Sequence, residues 1–500
     1  MPRKTVPQPA LIFEKSRAGR VGCNVPMADT PEVDLASVLG PLREELALPE
    51  VDELTLLRHF TNLSHLNYGI ETGFYPLGSC TMKYNPKINE RTASLPGFTH
   101  IHPMQPPETV PGALEVLASV QEILKEVAGF DEICLQPVAG AHGEMTCLML
   151  VKAYLESRGQ GHRNVVLIPD SAHGTNPASA ARCGYEVRSV PTTDAGSTDL
   201  DALARLLEAG GQSVAAFMVT NPSTLGLFET DIERICEMIH QAGGQVFCDG
   251  ANMNAMVGTT RPGDHGFDCM HLNLHKTFST PHGGGGPGCG AIGVMSHLAP
   301  FLPIPVVTRA GPGERARFET ARPLSIGRVS AYYGQFLMEV RALTYLLAYG
   351  KERMPDISRY SVLNANYVRA RIKEVLPPAH DRHCMHEVVV TAERYKKEFG
   401  VRALDISKRL IDYGFHPPTN YFPLIVPECL MIEPTETETK ETLDAFCDAL
   451  IAICREAETD PDLLHAAPTS QVVGRLDETA AVKNLDVAWK PAREREPVAG

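Results

Sequence analysis

His271-Leu-Asn-Leu-His-Lys-Thr-Phe-Ser-Thr-Pro-His-Gly-Gly-Gly-Gly-Pro-Gly288 puts a single lysine between a short apolar run and a run of glycines. An apolar run that stops at polar side chains reads as a buried strand, and side chains at strand ends can face a ligand. A lysine so placed can form a Schiff base with an aldehyde cofactor or a carbonyl substrate, provided burial or neighbours keep its amine available. On residue types alone, a surface-loop lysine beside a flexible glycine linker is the commoner reading. The sequence on either side has to decide.

Upstream, Leu114, Leu117, Val120, Leu124 and Val127 recur at helical spacing and give one apolar face. A strand is expected at 133–138, then a glycine-containing turn, a helix at 143–157 and a strand at 164–169. Further strands are readable at 185–190, 213–220 and 245–248, with helices at 199–209 and 231–242 between them. Strands alternating with helices predict a mostly parallel sheet covered on both faces. In such a sheet, ligands bind at the carboxyl ends of the strands.

Downstream come a short strand at 289–295, the loop Gly311-Pro-Gly-Glu-Arg-Ala-Arg317 and a helix at 330–350, on which the domain boundary is placed. A smaller α/β unit follows, with strands at 386–391 and 430–432 and helices at 403–413 and 440–457. Residues 1–110 are proline-rich, with one helical pattern near 49–66, and read as an extended N-terminal arm. The organisation expected is therefore an arm (1–110), a large domain (111–345) and a small C-terminal domain with a polar tail (346–500).

Composition narrows the class without naming a chemistry. Of the 500 residues, 43% are hydrophobic and 21% charged, as in ordinary soluble globular proteins. A net charge of −14 argues against a nucleic-acid surface and against a polybasic membrane anchor. Thirteen cysteines, with no Cys-x-x-Cys pair, read as reduced thiols rather than a disulfide framework or a zinc site. The cluster His383-Cys384-Met385-His386 lacks a second ligand group and reads as structural, so no metal is expected. The apolar run at Ala10-Leu-Ile-Phe13 is too short for a signal-peptide core, and no stretch is long enough to span a membrane, so the expectation is a cytoplasmic protein.

Four further spots fall at expected strand ends. Ala139-Gly-Ala-His-Gly-Glu144 leads into a helix, whose free N–H groups can hold a phosphate, although any strand-to-helix turn can be glycine-rich. In Ser171-Ala-His-Gly-Thr-Asn176, His173 can stack on a flat ring or simply be a hydrogen-bonded loop histidine. Asn221, in Thr220-Asn-Pro222, can donate to a ring oxygen or merely mark a turn. Asp249, in Cys248-Asp-Gly-Ala-Asn252, either caps a turn or pairs with a cationic ring nitrogen. With Lys276, these supply in chain order a phosphate cradle, a ring stacker, a ring-oxygen donor, a ring-nitrogen counter-ion and an amine. That set is what pyridoxal 5′-phosphate requires of a protein. In the arm, Tyr75-Pro-Leu-Gly-Ser-Cys-Thr-Met-Lys-Tyr-Asn85 and His100-Ile-His-Pro-Met-Gln-Pro106 are polar enough either for an active-site rim or for stitched turns.

The order of His173, Asn221, Asp249 and Lys276 resembles the fold-type-I, aspartate-aminotransferase-like PLP-dependent transferases. More narrowly, six strings resemble the glycine cleavage system P-protein family: Gly78-Ser-Cys-Thr-Met-Lys83, Gly140-Ala-His-Gly-Glu144, Asn273-Leu-His-Lys-Thr-Phe278, His282-Gly-Gly-Gly-Gly-Pro-Gly288, Ser325-Ile-Gly-Arg-Val329 and Met431-Ile-Glu-Pro-Thr-Glu436. The likeness begins in the arm at Phe13-Glu-Lys-Ser-Arg-Ala-Gly-Arg20 and runs into the C-terminal domain. By length the chain is similar to the lysine-bearing half, which occurs in that family as a separate subunit 2.

The resemblance implies glycine dehydrogenase (aminomethyl-transferring) activity, in which glycine loses CO2 and its aminomethyl remnant passes to the oxidised lipoyl arm of H-protein. It also implies a partner, subunit 1, in an α2β2 heterotetramer. It makes Lys276 the Schiff-base lysine, Asp249 the partner of the pyridine nitrogen and His173 the ring stacker. Asn221 lies near the ring hydroxyl, while Gly140, Ala141, His142, Gly143 and Asn273 serve the phosphate. His275 and the loop Ser79 to Lys83 belong to the substrate side, and His275 is counted among the cofactor-binding residues. Two rivals share these residues in whole or in part: another fold-type-I decarboxylase or aminotransferase, and a non-catalytic scaffold subunit.

Overall fold

The computed structural model describes residues 8–26, 29–43, 46, 48–103, 105–283, 288–309, 311 and 313–489. Gly284 to Pro287 of the glycine run, Met104, Pro312, the first seven residues and 490–500 of the tail lie outside them. The chain divides into two compact units, Met1–Gly73 with Ala466–Gly500, and Phe74–His465. In the first, Asp52 caps the helix Glu53–Ser64, and Phe13 stacks on Trp489 with ring centroids 4.2 Å apart.

The second unit carries the sheet that the alternation predicts. Its strands are β1 (Glu132–Cys134), β2 (Val165–Pro169), β3 (Glu186–Val190), β4 (Val214–Thr220), β5 (Gln245–Gly250), β6 (Cys269–Asn273) and β7 (Gly290–Val294). Their order is β1-β7-β6-β5-β4-β2-β3. From β3 to β6 every pairing is parallel, whereas β7 runs antiparallel to both β6 and β1. The helices are α1 (Pro111–Ala128), α2 (Gly140–Ser157), α3 (Thr175–Arg182), α4 (Leu200–Gly210), α5 (Ile232–Gln241) and α6 (Phe336–Ile372).

Successive residues of the central strands enter different cores. Leu167, Phe217 and Val219 join one hydrophobic cluster, while Val166, Ile168, Ala216 and Met218 join another. This period of two, with both faces buried, is what parallel strands between two helix layers require. The stripe read on α1 is the buried one: Leu114, Leu117, Val120, Leu124 and Val127 all pack inward.

The structure corrects four element boundaries. The strand expected at 133–138 is only β1, because Pro137 has no N–H for a ladder and the N–H of Val138 goes to Nδ1 of His142 at 3.3 Å. The helix expected from 143 already begins at Gly140, its first turn closed by the N–H of Gly143 on the oxygen of Ala139 at 3.0 Å. Strand β5 runs two residues past 248, so Asp249 sits inside the ladder opposite Thr220 and His271. The helix expected at 330–350 starts at Phe336, breaks at Gly350 (φ 64°) and resumes to Ile372.

The second half of α6 packs Ala365, Val368 and Ile372 into the core of the smaller layer. There β8 (Val388–Thr391), β9 (Thr419–Asn420) and β10 (Cys429–Ile432) form an antiparallel sheet in the order β8-β10-β9, with α7 (Ala403–Asp412) and α8 (Lys440–Thr459) beside it. The segment after Phe74 lies along this sheet: Leu77 bridges Ile432, and the N–H of Glu433 donates to the oxygen of Pro76 at 3.1 Å. No helix among the described residues is long and apolar enough to cross a membrane.

Candidate active site

The ladder register gathers the expected residues at one edge. Thr220 pairs with Asp249 and Asp249 with His271, so Asn221, Asp249 and Asn273 lie together at the carboxyl ends of β4, β5 and β6. Lys276 follows Asn273 by one turn, its N–H bonded to the oxygen of Asn273 at 3.1 Å. His173 stands in the loop after β2, exposed, with its ring edge-on to Phe422 at 5.3 Å.

Asp249 is the buried charge of this edge. Its Oδ2 accepts from Nδ2 of Asn176 at 2.9 Å, its Oδ1 from the N–H of Ala251 at 2.9 Å, and Nε2 of His271 lies 3.4 Å from Oδ1. Burial raises the carboxyl's pKa, but His271, Asn176, the Ala251 N–H and Lys276 together outweigh it and hold the group below its ordinary value. The carboxylate therefore stays ionised, with a lone pair to spare on each oxygen for one more donor.

The start of α2 is built to receive an anion. No side chain caps it, unlike α4, where Asp199 accepts from the N–H of Ala202. Its first N–H groups, from Gly140, Ala141 and His142, consequently lack intrahelical acceptors and sit at the positive end of the helix dipole. Gly140 is required by the close approach of Asn273, since a Cβ there would lie 2.3 Å from Asn273 Oδ1. That buried Oδ1 and the buried hydroxyl of Thr277 have no partner among the described residues. An uncapped helix start, unpaired polar groups beside it and an ionised Asp249 fit a pyridine phosphate that carries an aldehyde.

Asn221 is buried and spends its Oδ1 on the N–H of Glu229 at 3.0 Å, which leaves its NH2 as the end available to a ligand oxygen. His275 is turned to the residue that precedes β7, with Nδ1 accepting from the N–H of Cys289 at 3.0 Å; burial pushes its pKa down to about 4. Lys276 is half-buried, and its Nζ donates to the backbone oxygen of Ser79 at 2.7 Å. The polar arm loop thus reaches the lysine.

That loop is held by residues of the small layer, of which sequence reading quoted Glu433 and Glu436 only as part of a string and Glu387 not at all. The N–H of Ser79 donates to Glu387 at 2.7 Å, and Thr81 donates to Glu433 through its N–H at 2.8 Å and its hydroxyl at 2.5 Å. Lys83 is buried against Glu436 at 2.8 Å, with Asn254 Oδ1 and Tyr345 OH each at 3.0 Å. Sequence reasoning assigned no role to Asn176, His271, Glu144, Glu387, Glu433 or Glu436. Asn176 lay inside the quoted His173 string and Glu433 and Glu436 inside another, but nothing in one dimension joins 81 to 433. Two buried groups, Glu144–Asp249–His271 and His386–Glu387–Glu433, place three metal-ligand-type atoms within 4.8 Å of one another. In the first, Thr175 and Ser179 already donate to Glu144 at 2.8 and 3.0 Å.

A family model described as glycine cleavage system P-protein matches residues 36–406, and one described as glycine dehydrogenase, C-terminal domain, matches residues 357–467. The chain is 55% identical over 485 residues to the probable glycine dehydrogenase (decarboxylating) subunit 2 of Lysinibacillus sphaericus, covering 96% of this chain and 99% of that protein. It is 53% identical over 488 residues to the protein of the same description from Shouchella clausii, covering 97% and 98%. Among solved structures it is similar to an inhibitor-bound glycine decarboxylase (P-protein) of the glycine cleavage system, with a TM-score of 0.67, 21% identity and coverage of 83% and 92%. It is also similar to the cysteine desulfurase CsdA from Escherichia coli, with a TM-score of 0.58, 15% identity and coverage of 77% and 95%. The fold is fold-type-I, aspartate-aminotransferase-like.

Proposed function

From the premise that this chain belongs to the glycine cleavage system P-protein family, we propose that it decarboxylates glycine with pyridoxal 5′-phosphate and transfers the aminomethyl group to the lipoyl arm of H-protein. The observation that carries the reading is Lys276, half-buried at the mouth of the parallel strands within the field of an ionised, buried Asp249.

Lys276 is the amine that holds the cofactor. Gly140, Ala141, His142 and Gly143 offer the helix start to its phosphate, with Asn273 beside them. His173 would cover the ring, Asn221 would donate to its oxygen, and Asp249 would keep its nitrogen protonated. His275 supports the turn that carries the lysine. When bound, the cofactor supplies an electron-withdrawing ring that takes up the pair released as the substrate's carboxylate leaves. Burial around Asp249 strengthens its hold on that ring, because a charge pair in a dry site is screened little.

The relatives' designation as subunit 2 supports a partner chain, subunit 1; the assembly we propose is a cytoplasmic heterotetramer of the two. Incubation with that partner, H-protein, carboxyl-labelled glycine and bicarbonate should exchange label between glycine and CO2. Turnover of a different amino acid without exchange of glycine would overturn the reading. Asp249→Asn preserves the shape but sets an amide NH2 among donors, so turnover should fall by about 10²-fold or more and cofactor affinity should weaken. Unchanged turnover and cofactor titration would remove Asp249 from the site.

A further inference from the structure

Beside Lys276 lies a second buried group that the cofactor leaves unused. His386 and Glu387, just before β8, and Glu433, just after β10, converge within 4.8 Å, and all three are fully buried. Glu387 is tied to the N–H of Ser79, the residue whose carbonyl oxygen takes the Lys276 ammonium, so one residue's backbone separates the lysine from the carboxylate. Oε1 of Glu387 and both ring nitrogens of His386 have no hydrogen-bond partner among the described residues, although His386 Nε2 lies 3.8 Å from Glu387 Oε1.

Two carboxylates this close in a dry site cannot both ionise at low cost. The titratable groups that face them are Lys276, Cys80 on the arm loop, His386, and Glu436 beyond Glu433. Lys83 is committed to Glu436. Burial pushes the Cys80 thiol up to about 11 and the His386 imidazole down to about 3, so both are neutral at pH 7. Burial likewise pushes Glu387 well above the usual carboxyl range and Glu433 up to about 7. Lys276 is the cation nearest the pair that no other carboxylate engages, and Lys83, already committed to Glu436, reaches Glu433 only at longer range.

We infer that Glu387 and Glu433 hold one proton between them beside Lys276, and that this pair is the acid that supplies the proton consumed in aminomethyl transfer. The inference rests on the proposed function. In that reaction the C–C bond of glycine breaks, CO2 leaves, and the electron pair left on carbon forms the new C–S bond. The S–S bond of the oxidised lipoyl arm breaks at the same time, and its second sulfur keeps the bonding pair as a thiolate. Glycine, disulfide and one proton thus give CO2 and an S-aminomethyl ammonium with a free thiol. The proton passes from the carboxyl pair to the thiolate, and solvent returns one to the pair before the next turnover.

Infrared difference spectra of the holoprotein with its partner subunit, stepped from about pH 5.5 to about pH 8.5, read carboxyl protonation without any substrate. Burial also pushes the Glu339 carboxyl well above its usual range and Glu438 up to about 7, so the readout is wild type minus variant: at neutral pH the wild type should show one buried protonated C=O stretch, shifted in D2O, beyond theirs. The band should be lost in both Glu433→Gln and Glu387→Gln, either of which serves if the other misfolds. In Glu433→Gln, kcat for aminomethyl transfer should fall by about 10²-fold with KM for glycine unchanged. The wild type should lose kcat as pH rises through about 7, where Glu433 gives up its proton, and that fall should disappear in the variant. A band that survives in both variants, or a wild type that turns over glycine without the band, overturns the acid. A wild type that carries the band yet turns over no glycine overturns the proposed function instead.

Discussion

Lys276→Ala should keep the fold and lose glycine turnover by roughly 10⁴-fold, the order seen when a group that bonds covalently in the reaction is removed. Borohydride reduction of the wild-type holoprotein should leave a pyridoxyl adduct on Lys276, and the variant should carry none. The fold survives because the lysine is half-buried and makes one hydrogen bond, to the backbone of Ser79, whose loss costs about 1 kcal/mol. The ladder around Asp249 and the cores on both faces of the sheet do not depend on it. An unlabelled Lys276 in a wild type that retains the cofactor would refute the assignment. Unchanged exchange in Lys276→Ala would favour the scaffold reading, in which another chain does the chemistry.

Lys83→Met should destabilise the chain by about 3–5 kcal/mol, because it leaves one half of a buried ion pair behind. Side-chain exposure is 1% for Lys83 and 3% for Glu436, and Lys83 Nζ has an acceptor for each of its three protons: Glu436, Asn254 and Tyr345. Asn254 and Tyr345 also donate to Glu436, at 3.1 and 3.2 Å, so the network is closed. Without the ammonium, Glu436 stays buried with neutral partners only. Burial pushes the lysine pKa down and Glu436 pulls it back, the balance of a pair whose worth lies in its completeness. Denaturant unfolding checks the magnitude, and pairing Lys83→Met with Glu436→Gln should recover part of the loss. A single-variant loss below about 1 kcal/mol would mean that solvent reaches the pair. The same variant should lower turnover, since Lys83 holds the loop whose Ser79 oxygen sets the Lys276 amine.

Element type was legible where periodicity was strong. The α1 stripe, strands β2 and β4 and helices α4 and α5 follow from apolar spacing, because each buries the side its pattern marks. Boundaries were misread where backbone hydrogen bonds, not side-chain pattern, set them. Gly140 looks like turn material, yet it opens α2 because the oxygen of Ala139 can accept from Gly143. Residues 135–138 look like strand, yet Pro137 offers the ladder no donor.

By itself the sequence determined the parallel α/β order and the chain order of His173, Asn221, Asp249 and Lys276, since both are local: each residue closes or follows the strand its own neighbours form. Only the tertiary structure decided what surrounds Lys276. Ser79 meets it across 197 positions, Thr81 meets Glu433 across 352, and Lys83 meets Glu436 across 353. No spacing in a sequence encodes such pairs, because they form only when the arm loop is laid along β10, with Leu77 bridged to Ile432 and Phe74 buried in the small layer's core. The physical reason is that a buried charge must be met by whatever partner the fold delivers. The lysine was readable early, and the carboxylates beside it only once the chain had folded over them.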